Sequence, residues 1–274
     1  MQAVAAANAA RDQIVELVGR DQLVRRAASD PKLQPAAVAP NRRMIKVIEN
    51  TAAMEANLLS GSVDYIMGEL GVTEWENLGY RDSDMMGRPG NHDPRCFWQA
   101  NLDEAIGRLV WLVRRDRPHV ITTYNDFGGY GHPDHIMVHK VGHRAAEIAN
   151  ITTIFETTAN RDHFRRMKEM AKANQEQLPE GVSADDFDPD GPADDGNPFG
   201  EPEANISHKV DVLDYCEAKR NAIGCHASQV TDSQWFLSMP PDVFKAAFGA
   251  EWFIRKGQSG PPKLGFLTDE LTPS

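Results

Sequence analysis

The sequence predicts an α/β protein with a mostly parallel sheet and helices on both faces. Short β-branched segments alternate with amphipathic helical segments from about residue 98 onward, which is the order of β-α-β units. A glycine-rich loop joins one of these strands to the next helix, at the position where open α/β sheets place their ligand sites. Apolar residues make up 41% and charged residues 25% of the chain, a globular composition.

The pattern divides the chain into an atypical N-terminal segment at 1–60, an α/β domain at 61–256 and a tail at 257–274. In the first segment, apolar residues from Ile14 to Val18 predict a helix through about Ala28, and Pro31 ends it.

The elements of the domain follow from periodicity. Apolar residues at helical spacing predict helices, and β-branched runs predict buried strands. Arginines at the end of the Trp98–Arg115 segment suit a helix C-terminus. The predicted elements are helix Met54–Leu70, helix Trp98–Arg115, strand His119–Tyr124, helix Asp134–Ile148, strand Ile151–Phe155, an exposed helix Arg161–Gln177, an edge strand His208–Leu213 and helix Tyr215–Gln229.

The net charge of −11 is concentrated in one acidic loop at 178–205. Nine of the 40 acidic residues lie there without any Lys or Arg, which leaves 31 acidic against 29 basic residues elsewhere. A surface for nucleic acid or an anionic membrane needs clustered cations, so we expect neither partner. Asp186–Gly191 resembles the start of a calcium-binding loop, but Asn197 stands where the bidentate Glu is needed. A solvated loop or lid is therefore favoured over a calcium site.

The cysteines and the hydropathy indicate a cytoplasmic protein. None of the three cysteines belongs to a C-x-x-C pair, which fits a reduced compartment. No segment approaches the roughly 18 apolar residues of a spanning helix, and the alanine-rich start is a poor signal peptide.

The segment Tyr124–His139 carries the chemistry. Its glycines allow a tight turn between strand and helix, and Pro133 suits a first helical position. His132 and His135 are three residues apart, so both imidazoles can face one cleft at a helix start. Imidazole is a favoured zinc ligand and the usual acid or base near neutral pH, and Asp134 could orient one ring.

Histidines also recur at four-residue steps at positions 135, 139 and 143, as in zinc proteases of the H-E-x-x-H type. That motif needs Glu after its first His, and Ile136 and Lys140 occupy those positions here. The protease interpretation is therefore rejected, and His139 and His143 are expected to be ordinary helix residues.

The segment Gly128–His135, preceded by Arg117–Tyr124, resembles the second signature of the LmbE-like (PIG-L) zinc-dependent N-deacetylase family. That family includes the mycothiol-pathway deacetylase and mycothiol S-conjugate amidase. The resemblance extends over roughly residues 70 to 256, with matches at Leu78–Ser83, Met85–Gly87, Cys96–Gln99, Lys219–Gln229 and Glu251–Arg255. It implies a Rossmann-like fold and hydrolysis of an amide, usually the N-acetyl group of a small-molecule amino sugar.

The resemblance also implies roles for five residues. His135 would be a zinc ligand, and His132 would stabilise the oxyanion or protonate the leaving amine. Asp134 would tune His132, Tyr130 would touch the polarised carbonyl, and Asp82 would hold sugar hydroxyls.

The first signature of the family, A-H-P-D-D-E, is missing from this sequence, whose first histidine is His92. That signature supplies the other zinc ligands and the general base, so the resemblance implies an incomplete zinc site and a weakly active or inactive protein. His92 is a poor replacement ligand, because its loop has its own match in the family. Two alternatives stay open: an amidase for mycothiol S-conjugates, and a non-catalytic sugar-binding or interaction protein derived from the family.

Overall fold

The computed structural model describes residues 45–48, 67, 70, 72, 74–173, 188–192, 196–225 and 237–271. The predicted helix ending near Ala28 and nearly all of the predicted helix Met54–Leu70 lie outside these residues. The chain divides into two compact units, one made of Met1–Gly79 with Glu217–Ser238 and the other of Tyr80–Cys216 with Met239–Ser274.

The described helices and strands follow the predicted order from residue 98 onward. In chain order they are β1 Ile45–Ile48, β2 Glu74–Asn77, α1 Leu102–Asp116, β3 Ile121–Tyr124, α2 Pro133–Ala149, β4 Ile154–Thr158, α3 Arg161–Ala173, β5 His208–Asp211, α4 Cys216–Gly224, α5 Pro241–Phe248, β6 Ala250–Arg255 and β7 Lys263–Leu264. Within the described ranges, no helix combines the length and the apolar character needed to cross a bilayer.

The first unit contains a parallel pair of strands, in which Ile45 of β1 lies opposite Glu74 of β2. Its described core consists of Met67, Val72 and Ala222, the last of these from α4. Trp75 and Cys225 pack against this cluster and are half-buried.

The second unit contains a five-stranded mixed sheet in the order β3-β4-β6-β5-β7. β3 and β4 are parallel, β6 is antiparallel to both of its neighbours, and β5 and β7 are parallel. Counting the pair β1-β2, three of the five described pairings are parallel, and helices flank the sheet, so the α/β prediction is confirmed. β5 is not the edge strand that the alternating pattern predicted, because Lys263–Leu264 pairs with its outer side.

Helix α2 lies close against the sheet and also packs against α1. The Thr123 hydroxyl of β3 donates to the backbone carbonyl of Val138 at 3.0 Å. One turn further, Gly142 faces Thr123 so closely that a Cβ at this position would lie 3.1 Å from the hydroxyl oxygen. A glycine here therefore sets how near the helix approaches β3 and β4.

The described part of the acidic loop is held on the basic surface of α3. Asp188 pairs with Lys168 at 3.5 Å, Glu203 pairs with Arg166 at 2.6 Å, and Asp190 pairs with Arg165. These carboxylates thus have cationic partners, and several positions of the segment that resembles a calcium-binding loop lie outside the described residues. At the end of the loop, the backbone N–H of Gly200 donates to the carbonyl of Gly129 at 3.2 Å.

Candidate active site

The loop between β3 and α2 is built on a glycine that no other residue could replace without strain. Gly128 has φ of +68°, and a Cβ placed there would lie 2.7 Å from the Cβ of His135. Its carbonyl lies 3.1 Å from Nδ1 of His135. The ring of His135 stacks on Tyr124, with centroids 3.9 Å apart and planes within 5°. His135 is therefore locked in orientation by the loop and by the end of β3.

His132 caps the N-terminus of α2. Its Nδ1 accepts a hydrogen bond from the backbone N–H of Asp134 at 3.2 Å, which satisfies one of the free donors at a helix start. A ring nitrogen that accepts carries no proton, so the neutral imidazole is protonated at Nε2. That Nε2 lies 4.0 Å from the Asp82 carboxylate.

Burial lowers the pKa of His132 below its ordinary value of 6.5, and the nearby carboxylates of Asp82 and Asp84 oppose this shift. Desolvation is the larger effect. At neutral pH the residue is therefore a neutral imidazole that presents an Nε2–H donor toward Asp82.

The side chain of Asp134 anchors a distant loop. It is 0% exposed and accepts hydrogen bonds from the hydroxyl and, at 3.2 Å, from the backbone N–H of Ser83, which is also 0% exposed. The Ser83 hydroxyl oxygen accepts in turn from the backbone N–H of Trp98 at 2.8 Å. Asp134 thus contacts the His132 ring through its backbone, while its carboxylate fastens the segment that carries Asp82 to the start of α2.

The side chain of Asn91 holds the backbone of that segment in place through hydrogen bonds. Its amide nitrogen donates to the carbonyls of Ser83, Asp84 and Met85, the last two at 3.3 and 3.2 Å. Its amide oxygen accepts from the backbone N–H of Gly87 at 2.8 Å. Ser83 and Asn91 are the residues that sequence reasoning missed, because Ser and Asn in a Gly/Asp-rich segment look like exposed turn residues.

The structure brings the five predicted site residues together in the second unit. Tyr130 is 40% exposed and presents its ring edge-on to His135, with centroids 5.0 Å apart, and lies 6.3 Å from the ring of His132. The Asp82 carboxylate lies 4.0 Å from Nε2 of His132. The result is a polar cluster with a fixed donor, a carboxylate and an exposed tyrosine.

The described residues do not complete a zinc site around His135. The Nδ1 contact with a carbonyl is the arrangement that metal-bound histidines adopt, with Nε2 as the ligating atom. Two clusters within the described part of the chain could hold a metal: Asp82, His132 and Asp134 in one, and His139, His143 and Glu156 in the other. Neither includes His135, and His92 is exposed and belongs to neither.

Comparison with known proteins found one matching family and similar relatives that share one name. The model of the PIG-L family, GlcNAc-PI de-N-acetylase, matches residues 63–146. A protein of Geodermatophilus obscurus is 34% identical over 242 residues, covering 79% of each chain. One of Streptomyces avermitilis is 36% identical over 230 residues, covering 78% of this chain and 76% of its own. Both of these relatives carry the name 1D-myo-inositol 2-acetamido-2-deoxy-alpha-D-glucopyranoside deacetylase.

Proposed function

This chain belongs to the PIG-L family, and from that premise we propose that it is an amide hydrolase for N-acetylglucosamine-type substrates whose activity is limited by an incomplete zinc site. The family and the relatives named above support a deacetylase. The observation that carries the proposal is the Nε2–H of His132, held beside Asp82 and next to Tyr130 and His135.

His132 acts in this proposal as a neutral hydrogen-bond donor to the amide carbonyl. Its Nδ1 is occupied by the helix N-terminus, and burial lowers its pKa, so Nε2–H is available across the neutral pH range. A donor held in place before the reaction stabilises the developing oxyanion without reorganisation, and loss of one such donor typically costs about 100- to 1,000-fold in kcat.

Asp82 and Tyr130 complete the substrate contacts. Asp82 accepts hydrogen bonds from sugar hydroxyls, and it is positioned by a loop whose conformation depends on Ser83 and Asn91. Tyr130 is exposed enough to meet the substrate directly and donates through its phenol. Sites built on rigid supports hold substrate groups more accurately, which is why the buried Asp134 anchor matters for binding.

The proposal includes a zinc requirement for two reasons: the family to which the chain belongs and the orientation of His135. The sequence contains no His-Pro-Asp-Asp segment, and neither of the two candidate metal clusters within the described residues includes His135. We therefore expect weak zinc retention and slow hydrolysis, with the sugar-binding half of the site intact.

The test measures acetate release from N-acetylglucosaminyl-inositol by the purified full-length chain, together with its zinc content by mass spectrometry. We expect slow release that disappears in His132→Ala and is unchanged in the matched control His119→Ala, whose side chain is exposed. Saturable sugar binding without any acetate release would instead establish the non-catalytic binding protein. One tightly held zinc per chain with full activity would overturn the incomplete site.

We also propose a cytoplasmic location. Cys96 and Cys216 are buried free thiols in the structure. Thiols that persist unpaired fit a reducing compartment, and fractionation of the source cells would test the assignment.

A further inference from the structure

Helix α2 carries a second histidine pair one turn beyond His135. His139 and His143 are separated by four residues, so their side chains lie on the same face of the helix, and their ring centroids are 4.4 Å apart. From the sequence alone both were expected to be ordinary helix residues, because Ile136 and Lys140 stand where a zinc protease motif has its Glu.

The sheet supplies that carboxylate. Glu156 of β4 is paired in register with Thr123 of β3, and Thr123 is the residue against which Gly142 brings α2 close to the sheet. Residues directly opposite in neighbouring strands project to the same side. Glu156 therefore points toward the helix face that bears the two histidines, and its Oε1 lies 2.8 Å from Nε2 of His143.

The contact between His143 and Glu156 is not an ordinary hydrogen bond. Nε2 of His143 is buried and has no hydrogen-bond partner within the described residues, although Oε1 of Glu156 is close enough for one. A buried imidazole nitrogen without a partner needs an explanation, and one explanation is an ion that both atoms face.

His139 is prepared as a ligand in the same way as metal-bound histidines. Its Nδ1 lies 3.0 Å from the carbonyl oxygen of Tyr124, which can only accept, and 3.6 Å from Oε1 of Glu156. Nδ1 therefore carries the proton, and Nε2 holds the lone pair. Ligand atoms of His139, His143 and Glu156 lie within 4.8 Å of one another. Those of a tetrahedral zinc site lie roughly 3 to 3.5 Å apart, so the side chains have to rotate to close on an ion, and the ring of His139 has to turn its Nε2 toward it.

We propose that His139, His143 and Glu156 form a site for a divalent transition metal of the zinc type, separate from the active site. Two imidazoles and one carboxylate are ligands that Zn²⁺ prefers, and they leave a fourth position for water. All three side chains are 16–22% exposed, which gives an ion access from solvent. The bound ion joins α2 to β4 and so stabilises the helix that carries His132 and His135 at its start.

The experiment loads the full-length chain with Zn²⁺ and, separately, with Co²⁺ by equilibrium dialysis, and measures metal content, visible Co²⁺ absorption and Tm. Wild type, Glu156→Gln, His143→Ala and the control His119→Ala are compared, each also in a His135→Ala background that removes the predicted active-site ligand. Losing even an outer partner of a metal ligand costs about 10- to 100-fold in affinity, so loss of a direct ligand should cost at least about 100-fold.

We expect Glu156→Gln and His143→Ala to lose one metal equivalent and the metal-dependent rise in Tm, in both backgrounds, while His119→Ala keeps them. Glu156→Gln preserves the size and shape of the side chain, so it separates ligand loss from misfolding. Equal metal affinity in wild type and a folded Glu156→Gln would overturn the proposal. It would also be overturned if His135→Ala alone removed all of the bound metal.

Discussion

Replacing Ser83 with alanine should destabilise the second unit strongly, although only one oxygen atom is removed. The hydroxyl of Ser83 donates to the buried carboxylate of Asp134 and accepts from the backbone N–H of Trp98 at 2.8 Å. Both Ser83 and Asp134 are fully buried, so water cannot take the place of the lost hydroxyl without rearrangement. Ser83→Ala therefore leaves a carboxylate with one donor fewer and a backbone donor without this acceptor.

The expected cost is the sum of these two losses. A hydrogen bond to a charged group contributes about 1.5–3 kcal/mol, and a buried N–H left unsatisfied costs about 1–3 kcal/mol. Because partial relaxation reduces the total, we expect a loss of about 3 kcal/mol in the free energy of unfolding. For a domain of about 150–250 residues, this lowers Tm by roughly 6–12 °C.

Urea unfolding followed by circular dichroism, with thermal melts alongside, would measure the effect. Ser259→Ala is the matched control, since Ser259 is exposed and should change stability by less than about 0.5 kcal/mol. A double-mutant cycle with Asp134→Asn should yield a coupling energy of about 1 kcal/mol or more. A Ser83→Ala variant as stable as the control, or a coupling near zero, would refute the anchoring role.

Three further outcomes follow from the site. Gly128→Ala should fold with the loop displaced, because the new Cβ would lie 2.7 Å from the Cβ of His135 and φ at this position is +68°. Sugar affinity measured by calorimetry should fall at least tenfold. An unchanged affinity would contradict this geometry. Asn91→Ala should cost about 2–3 kcal/mol, checked by urea unfolding, since several carbonyls lose one shared donor. Burial lowers the pKa of both His132 and His208 below 6.5, so the unfolded chain binds more protons as the pH falls through and below that value. Stability should therefore be retained above about pH 6.5 and lost below it; a Tm that stays constant from about pH 7.5 to 5.5 would exclude this linkage.

Most of the described secondary structure follows from local pattern. Asn101 caps α1 through its side chain, and Pro133 starts α2, so both boundaries lie within a few residues of the predicted ones. The prediction of an edge position for β5 failed because a two-residue strand in the tail, Lys263–Leu264, has no periodicity that a sequence pattern could reveal.

Three of the predicted site residues are also close together in the sequence. His132, Asp134 and His135 fall within four positions of one helix start, so their spacing alone places them together. The role of Asp82 came only through the family resemblance, since a single Asp in a polar loop is more often a turn residue.

By itself the sequence determined the glycine turn, the helix start and the histidine spacing, because the hydrogen bonds and steric limits behind them act over a few residues. Only the tertiary structure decided that Ser83 meets Asp134, 51 residues away, and that Glu156 meets His143 across the interface of a helix and a sheet. These contacts depend on how closely α2 lies on the sheet and on strand register, which are set by packing of the whole unit. The candidate site residues therefore come mainly from one short motif, and the residues that hold this motif in place are distant from it in the sequence.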